Sequence, residues 1–434
     1  MVADDSELLD ELKNILKQET PLLPRNELLS CVNYHMGRRD KYLQALEKGP
    51  LPVYILESDV LEEKARQFQT VFKKALPEVS FYYAVKSNNH PAVAGTLLKC
   101  GFGLDVSSGL ELEMGLDLDS HDMVFSGPGK TNQELDLATQ HAEDVVVLID
   151  SFGELYRLEN IAASKKKEVR AGVRLTTDTN GLWRKFGIST RDLPFFWKEA
   201  RQCRHVLLQG LQFHTSWNLS PEKQIDFIEV LGKSFEEMSP YLREDIVFID
   251  IGGGYWPPQG EWLLNSGTPA GKIRNALGKG ADPNSNLYRL PATPIESFAE
   301  QLGSAIYEHI LKYKSCRICL EPGRWICSDA MHIFISVVDK KASNLVITDG
   351  GTNAVGWEQF KQEYSPILNL TRPSLKEQAC DVLGSLCTPH DVWGYSYWGD
   401  DIQPGDLLMV PAQGAYTYSF RQEFIKPVPP VIII

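Results

Sequence analysis

Residues 79–91 read VSFYYAVKSNNHP, an apolar, β-prone run that ends on a lysine, Lys86, followed at once by a polar turn. A lysine at the end of a buried strand is costly unless it snorkels, pairs or reacts. The same kind of run recurs along the chain from this point. With 79–85 as the first, eight short β-rich runs follow one another, the others being 103–107 (GLDVS), 122–126 (DMVFS), 144–150 (DVVVLID), 168–175 (EVRAGVRL), 206–213 (VLLQGLQF), 246–251 (IVFIDI) and 316–321 (CRICLE). Several are almost wholly apolar, which is how strands covered on both faces read.

Helical signals fill the intervals. One helix is predicted over 90–100 with Gly101 just past its end, one over 131–142 opened by the capping box Thr131 to Glu134, and one over 220–239 opened by Ser220-Pro221. Another, 292–313, shows Ile295, Phe298, Leu302, Ile306 and Ile310 at three- and four-residue steps, and a helix over 59–76 precedes the first strand. Strand and helix alternating eight times predicts an α/β fold, a (β/α)8 TIM barrel. The segment 252–315, rich in Gly, Pro and Asn, predicts an inserted loop above the barrel. After residue 330 the runs HIFISVVD, NLVITDG and DLLMVPA, with turn residues between them, predict a separate β domain. The expected division is therefore 1–50, partly packing on the β domain and containing an amphipathic helix at roughly 5–18, then a barrel over 51–330 and a β-rich domain over 331–434.

Bulk composition agrees with two domains, since 434 residues with 43% hydrophobic content are long for one compact unit. Formal charge is 44 minus 57, or −13, and the short Lys165-Lys166-Lys167 run is the only basic tract, which argues against nucleic acid and anionic membrane as partners. The start, MVADDSELLDELKNIL, carries acids where a signal peptide needs basic and apolar regions. No stretch approaches the ~18 uninterrupted apolar residues of a membrane span. A soluble, cytoplasmic protein is expected. Eight cysteines are scattered without metal spacing, so reduced, mostly packed thiols and no metal centre are expected.

In a barrel of this kind chemistry lies at the carboxyl ends of the strands. Those ends carry Lys86, Asp105 with Ser107, Ser126-Gly127, Asp150, Arg174, His214, Gly252-Gly253-Gly254, and Glu321 with Arg324. Singly, each has a plain structural reading: a rim lysine, a core histidine, a β-to-α turn, an internal salt bridge. Together, lysine, imidazole, triple-glycine turn and carboxylate are the parts that pyridoxal phosphate requires. The aldehyde takes the lysine, the phosphate takes the glycine amides, histidine covers the ring face, and the glutamate keeps the ring nitrogen protonated.

These residues lie in the motifs YYAVKSN (82–88), GLDVSSGLELE (103–113), FSGPGKT (125–131), RKFGI (184–188), FHTSW (213–217), DIGGGY (250–255), EPGRW (321–325), LCTPHDV (386–392) and GAYT (414–417). In that combination the chain resembles, over roughly residues 50–425, the fold-type III pyridoxal-phosphate decarboxylases, among them the ornithine, diaminopimelate and arginine decarboxylases. The resemblance implies a Schiff base at Lys86, His214 stacked on the ring and Glu321 against the pyridinium nitrogen, where the racemases of this barrel have an arginine. It also implies a phosphate site of Gly252, Gly253, Gly254, Arg324 and Tyr416, with Asp105, Arg174, Ser216 and Gly323 around the cofactor. Cys387 would come from the β domain of a neighbouring subunit to reprotonate the carbanion, making a homodimer with shared active sites. Lys185 would pair with Asp391 across that interface.

Departures from the family pattern bear on the substrate. His214-Thr215-Ser216-Trp217 stands where the family commonly has His-x-Gly-Ser, so Trp217 brings a bulky indole. After the cysteine, decarboxylases of basic amino acids place an acid for the distal ammonium, whereas this chain has Thr388, which offers a cationic tail no ion pair. LCTPHDV and SGPGKTNQEL (126–135) are most similar to the branch acting on amino-acid conjugates in siderophore and natural-product assembly. Trp393, Tyr395, Tyr397 and Trp398 are expected either to line a larger pocket or to form a dimer interface. The alternatives are an ordinary diaminopimelate, ornithine or lysine decarboxylase, and an inactive regulatory homologue, against which the joint presence of Lys86, Glu321 and Cys387 argues.

Overall fold

A computed structural model describes residues 5–47, 49–76, 78–282, 285–356 and 362–434. The chain divides into two compact units, one of residues 59–258 with 293–327, the other of 1–58, 259–292 and 328–434.

The first unit is a closed barrel of eight parallel strands in the order Arg317–Leu320, Val79–Ala84, Gly103–Val106, Met123–Phe125, Val145–Ile149, Val169–Leu175, Val206–Phe213 and Phe248–Asp250. All eight coincide with the expected runs. Their apolar character follows from the architecture, since every residue of Val145–Ile149 is buried. Tyr82, Val124, Val146, Leu148, Phe248 and Cys319 form one buried cluster, and glycine at 210 is what admits the Phe248 ring, which a Cβ there would overlap. Helices follow the strands as predicted. Thr131 and Glu134 form the reciprocal capping box of Asn132–Gln140, and Gly101, at φ +81°, ends Pro91–Lys99 in the left-handed region.

The second unit is built on an eight-stranded sheet. Its order is Leu345–Thr348, Glu377–Leu383, Val392–Trp398, Leu368–Asn369, Leu407–Val410, Met331–Ala342, Val53–Leu56 and Val431–Ile433. The strand at 53–56 pairs antiparallel with 331–334 and parallel with 431–433, so residues 51–58 belong to this unit and not to the barrel. Helices Arg25–Gly37 and Arg39–Leu46 bury Leu28, Val32 and Tyr42 against Val53, Ile55, Phe334 and Trp398. Inside this unit a carboxylate is fully buried: Glu57 takes hydrogen bonds from Arg38, from Lys41 (3.1 Å), from the Tyr42 hydroxyl (3.0 Å) and from His332 Nε2 (3.0 Å).

The expected inserted loop is corrected in part. Residues 259–292 form a hairpin of Glu261–Leu263 with Tyr288–Leu290 and the helix Pro269–Ala276, and they group with the β unit. The aromatic run is corrected as well. Trp393 and Trp398 are fully buried, their indole N–H groups donating to Gly350 O (3.1 Å) and to the Tyr364 hydroxyl (3.3 Å), and Tyr397 is 3% exposed. Trp398 belongs to the core of the unit, whereas Trp393 and the half-buried Tyr395 line a cavity together with Arg25, Tyr364 and Glu377, so the pocket reading holds for part of the run. Among the described residues, no helix is long and apolar enough to cross a membrane.

Candidate active site

The first barrel strand ends in a 3-10 turn, Val85–Ser87, that carries Lys86. Neighbours lock this turn, because the Ser87 hydroxyl donates to Ala84 O (2.7 Å) and the Tyr83 hydroxyl to Asn88 O (3.0 Å). Lys86 Nζ therefore points at the second strand, where Asp105 Oδ2 accepts from it at 2.8 Å. Asp105 is completely buried and takes a further hydrogen bond at 2.5 Å from Ser126 Oγ, which lies 3.0 Å from Ser107 Oγ. Burial and the nearby Glu321 charge push its carboxyl up, and Lys86 and Ser126 oppose that rise. The lysine of the opening stretch is thus paired.

Glu321, 1% exposed, ends the eighth strand. Its Oε1 accepts from Gln212 Nε2 at 3.2 Å, and its Oε2 lies 3.4 Å from His214 Nδ1. Burial alone raises a carboxyl, but the His214 contact and the Lys86 charge outweigh it, so Glu321 is held below its ordinary value as the anion. Burial lowers His214 and keeps it neutral near pH 7.

The triple-glycine turn follows Phe248–Asp250. Gly252 and Gly254 have φ of +69° and +84°. A Cβ on Gly252 would sit 2.7 Å from His214 Nδ1, and one on Gly253 would collide with the Glu321 carbonyl oxygen. The turn thus brings backbone into direct contact with both flanking strand ends, with Gly253 N 3.2 Å from His214 Nδ1. Asn218 ties it to the preceding turn through Gly253 O (2.9 Å) and Thr215 Oγ1 (2.9 Å). Gly323 lies against Ser87, where a Cβ would come within 2.8 Å. Arg324 lays its guanidinium 4.1 Å from the Trp256 ring centroid, and Trp256 is stacked with Trp217 at 6.4 Å. Arg174 is 8% exposed, lies 4.5 Å from the Phe186 ring centroid, and leaves its buried Nε without an acceptor among the described residues.

This set of groups fits pyridoxal phosphate. An amine, a carboxylate held anionic, a neutral imidazole beside that carboxylate and a turn with no room for Cβ atoms stand at barrel strand ends, and an orphaned buried guanidinium donor waits nearby. The scan of family models gives the decisive observation: residues 60–328, more than half of the chain, match the model described as "Pyridoxal-dependent decarboxylase, pyridoxal binding domain". The chain belongs to the pyridoxal-dependent decarboxylases. Pyridoxal phosphate is the family's cofactor, and the class is carboxy-lyase. Among curated relatives, the L-glutamyl-(BtrI acyl-carrier protein) decarboxylase of Niallia circulans is 25% identical over 398 residues, 85% of each chain. The diaminopimelate decarboxylase of Aquifex aeolicus is 24% identical over 424 residues, 92% of this chain and 91% of that protein. Among solved structures, the lysine/ornithine decarboxylase of Vibrio vulnificus complexed with putrescine superimposes with a TM-score of 0.71 at 21% identity, covering 92% of this chain and 98% of that one.

Other residues were singled out in this decarboxylase. Lys185 is exposed, 5.5 Å from the Phe186 ring centroid, Ser216 is half-buried, and Trp217 is 61% exposed at φ +52°. Cys387, Thr388, Asp391 and Tyr416 belong to the β unit. All eight cysteines are described and free, and Cys387 alone is exposed. Asp391 is buried; its Oδ1 accepts from Thr352 N–H (2.7 Å) and Oγ1 (2.9 Å), and its Oδ2 from Leu386 N–H (2.7 Å). Within the chain it clasps the loop that presents Cys387. Tyr416, at φ +61°, stacks on Phe420 at 6.1 Å.

Sequence reasoning missed Gln212 and Asp250, both buried in contact with Glu321. Gln212 was within reach, since residues two apart on a strand share a face and His214 follows it by two. Lys130, in the quoted SGPGK, is also buried, bonded to Glu154 (2.8 Å) and to the carbonyls of Gly127 and Leu148.

Proposed function

We propose that the protein is a homodimeric α-decarboxylase of an amino acid or amino-acid conjugate of the siderophore or natural-product type. One observation carries the reading furthest. Glu321 is buried yet held anionic, beside His214, in a barrel whose first strand end presents Lys86. Bound pyridoxal phosphate supplies a sink for the electron pair left at Cα when carbon dioxide departs. Glu321 serves that chemistry by holding a proton at the ring nitrogen, Lys86 is the point of covalent attachment, and His214 packs on the ring face. Gly252 to Gly254, Arg324 and Tyr416 hold the phosphate. Cys387 of a second copy delivers the proton to Cα, in keeping with its being the exposed thiol where the other seven are buried or half-buried.

The choice of a conjugate over a diamino acid rests on Thr388, whose neutral side chain cannot neutralise a distal ammonium, and agrees with the resemblance to an enzyme named for a carrier-bound glutamyl substrate. The diaminopimelate reading is favoured by the name of the Aquifex relative. Carbon dioxide release from a panel of free diamino acids, diaminopimelate, and glutamyl or citryl conjugates separates the two. Turnover confined to diaminopimelate or lysine would reverse the choice, and release from none of them would revive the inactive homologue.

A further inference from the structure

Asp250 ends the seventh barrel strand with its side chain completely buried. Its Oδ1 accepts the Gly252 N–H at 2.8 Å, whereas its Oδ2 has no donor among the described residues. Gln212, its register partner on the neighbouring strand, gives its amide N–H to Glu321, and its own Oε1 also lacks a donor. Glu321 lies two residues beyond Cys319, the register partner of Asp250 on the eighth strand, and its carboxylate bears on the Asp250 carboxyl. Two carboxylates and an amide oxygen thus meet in a buried place with too few protein hydrogens between them. Buried acceptors are not left this way unless a proton supplies the missing bond.

Charge counting locates that proton. The groups around the Asp250–Glu321 pair are Cys319 from the eighth strand, Asp105 from the second, Lys86 after the first, Arg174 from the fifth, His214 after the sixth, and Tyr255 from the turn after the seventh. Burial raises the Cys319 thiol and the Tyr255 phenol, so both stay neutral, as does His214. Two cations, Lys86 and Arg174, then face the three carboxylates Asp105, Glu321 and Asp250, and Lys86 also bears on Glu111, whose carboxylate accepts the Ser107 N–H at 2.7 Å. Asp105 is bonded to Lys86 and Ser126, and Glu321 to Gln212 with His214 alongside, so those two keep their charge. Asp250 has a single backbone N–H. Burial and the Glu321 charge both push its carboxyl up.

We propose that Asp250 is a positioning residue held as the neutral carboxylic acid, donating its proton toward Glu321 and so fixing Glu321 as the anion. The consequence for the cofactor rests on the reading of Glu321 given above; the protonation state itself does not. Asparagine copies the shape and donor capacity of a protonated aspartate, and alanine copies neither.

In the cofactor-free protein, infrared spectra at pH 7 should show a protonated-carboxyl stretch that Asp250→Asn removes and Asp105→Asn leaves in place. Pyridoxal-phosphate affinity, followed by absorbance, should fall at least about tenfold in Asp250→Ala and stay within about threefold in Asp250→Asn. If Asp250→Ala does not fold, the Asn variant and the infrared band decide alone. No acid band in the parent protein, its loss with Asp105→Asn, or an Asn variant that loses affinity tenfold would each overturn the proposal. A band removed by Asp250→Asn with affinity unchanged in Asp250→Ala would leave the proton assigned and overturn only the role toward the cofactor.

Discussion

A methyl group added at residue 253 has nowhere to go, because the Glu321 carbonyl occupies its place and both are backbone atoms of strand ends. Gly253→Ala should therefore cost the barrel about 1–3 kcal/mol, read as a lower urea midpoint, and an unchanged midpoint would mean the turn relaxes freely. Lys86→Ala should abolish the cofactor adduct that borohydride traps in the parent protein; an undiminished adduct would place the attachment at another lysine. Lys86, His214 and Glu321 were readable from the sequence because each closes a recognisable strand, and the place of a strand end in a barrel is fixed by the fold. Asp250 was not, although it lies within a quoted motif. Nothing in a sequence shows which of three carboxylates lacks a cation, since that depends on side chains brought together from strands far apart in the chain.

Turns and short strands were harder to read than the barrel itself. The hairpin Glu261–Leu263 with Tyr288–Leu290 reads as loop in the sequence because its strands are three residues long and mostly half-buried, too short to display an alternation. The turn after His214 holds a different surprise. Trp217 has φ +52° on a mostly exposed indole, a conformation that costs a bulky residue roughly 1–2 kcal/mol and glycine little. Trp217→Gly should leave the barrel's stability within about 1 kcal/mol of its present value, strain relief offsetting the lost stacking on Trp256. A larger loss would show that the aromatic pair outweighs the strain. In the β unit, Asp391→Ala would strip a buried acceptor from Thr352 and Leu386 and should destabilise that unit by about 2–4 kcal/mol in chemical unfolding.

Acid should loosen the β unit through a buried histidine. Burial and the neighbouring His332 lower His35 from 6.5 to about 3. The unfolded chain therefore binds this proton more readily, so the stability tied to neutral His35 is complete above about pH 6.5 and drains away as pH falls toward 3. By pH 5 the loss is about 2 kcal/mol. Glu57, depressed by His332, Arg38 and Lys41 against the cost of its burial, adds a loss at still lower pH. Replacing His35 by Gln should flatten the fall in melting temperature between pH 6.5 and 5, and an unaltered slope would assign it elsewhere. The proposed sharing of sites between copies has its own test. Mixed and refolded Lys86→Ala and Cys387→Ala proteins should regain about a quarter of the parent turnover, because half the dimers are hybrids and each hybrid has one intact site. No recovery would confine each site to a single chain.

The strand at 53–56 lies between Met331–Ala342 and Val431–Ile433. During translation it therefore leaves the ribosome nearly three hundred residues ahead of its first sheet neighbour, while every strand of the barrel has emerged by Leu320. The barrel can close on the nascent chain, but the β unit waits for its last strand. Through that interval the hydrophobic run Val53–Leu56 is an unpaired edge, which makes it the natural landing point for a chaperone and the first segment to watch in any aggregate.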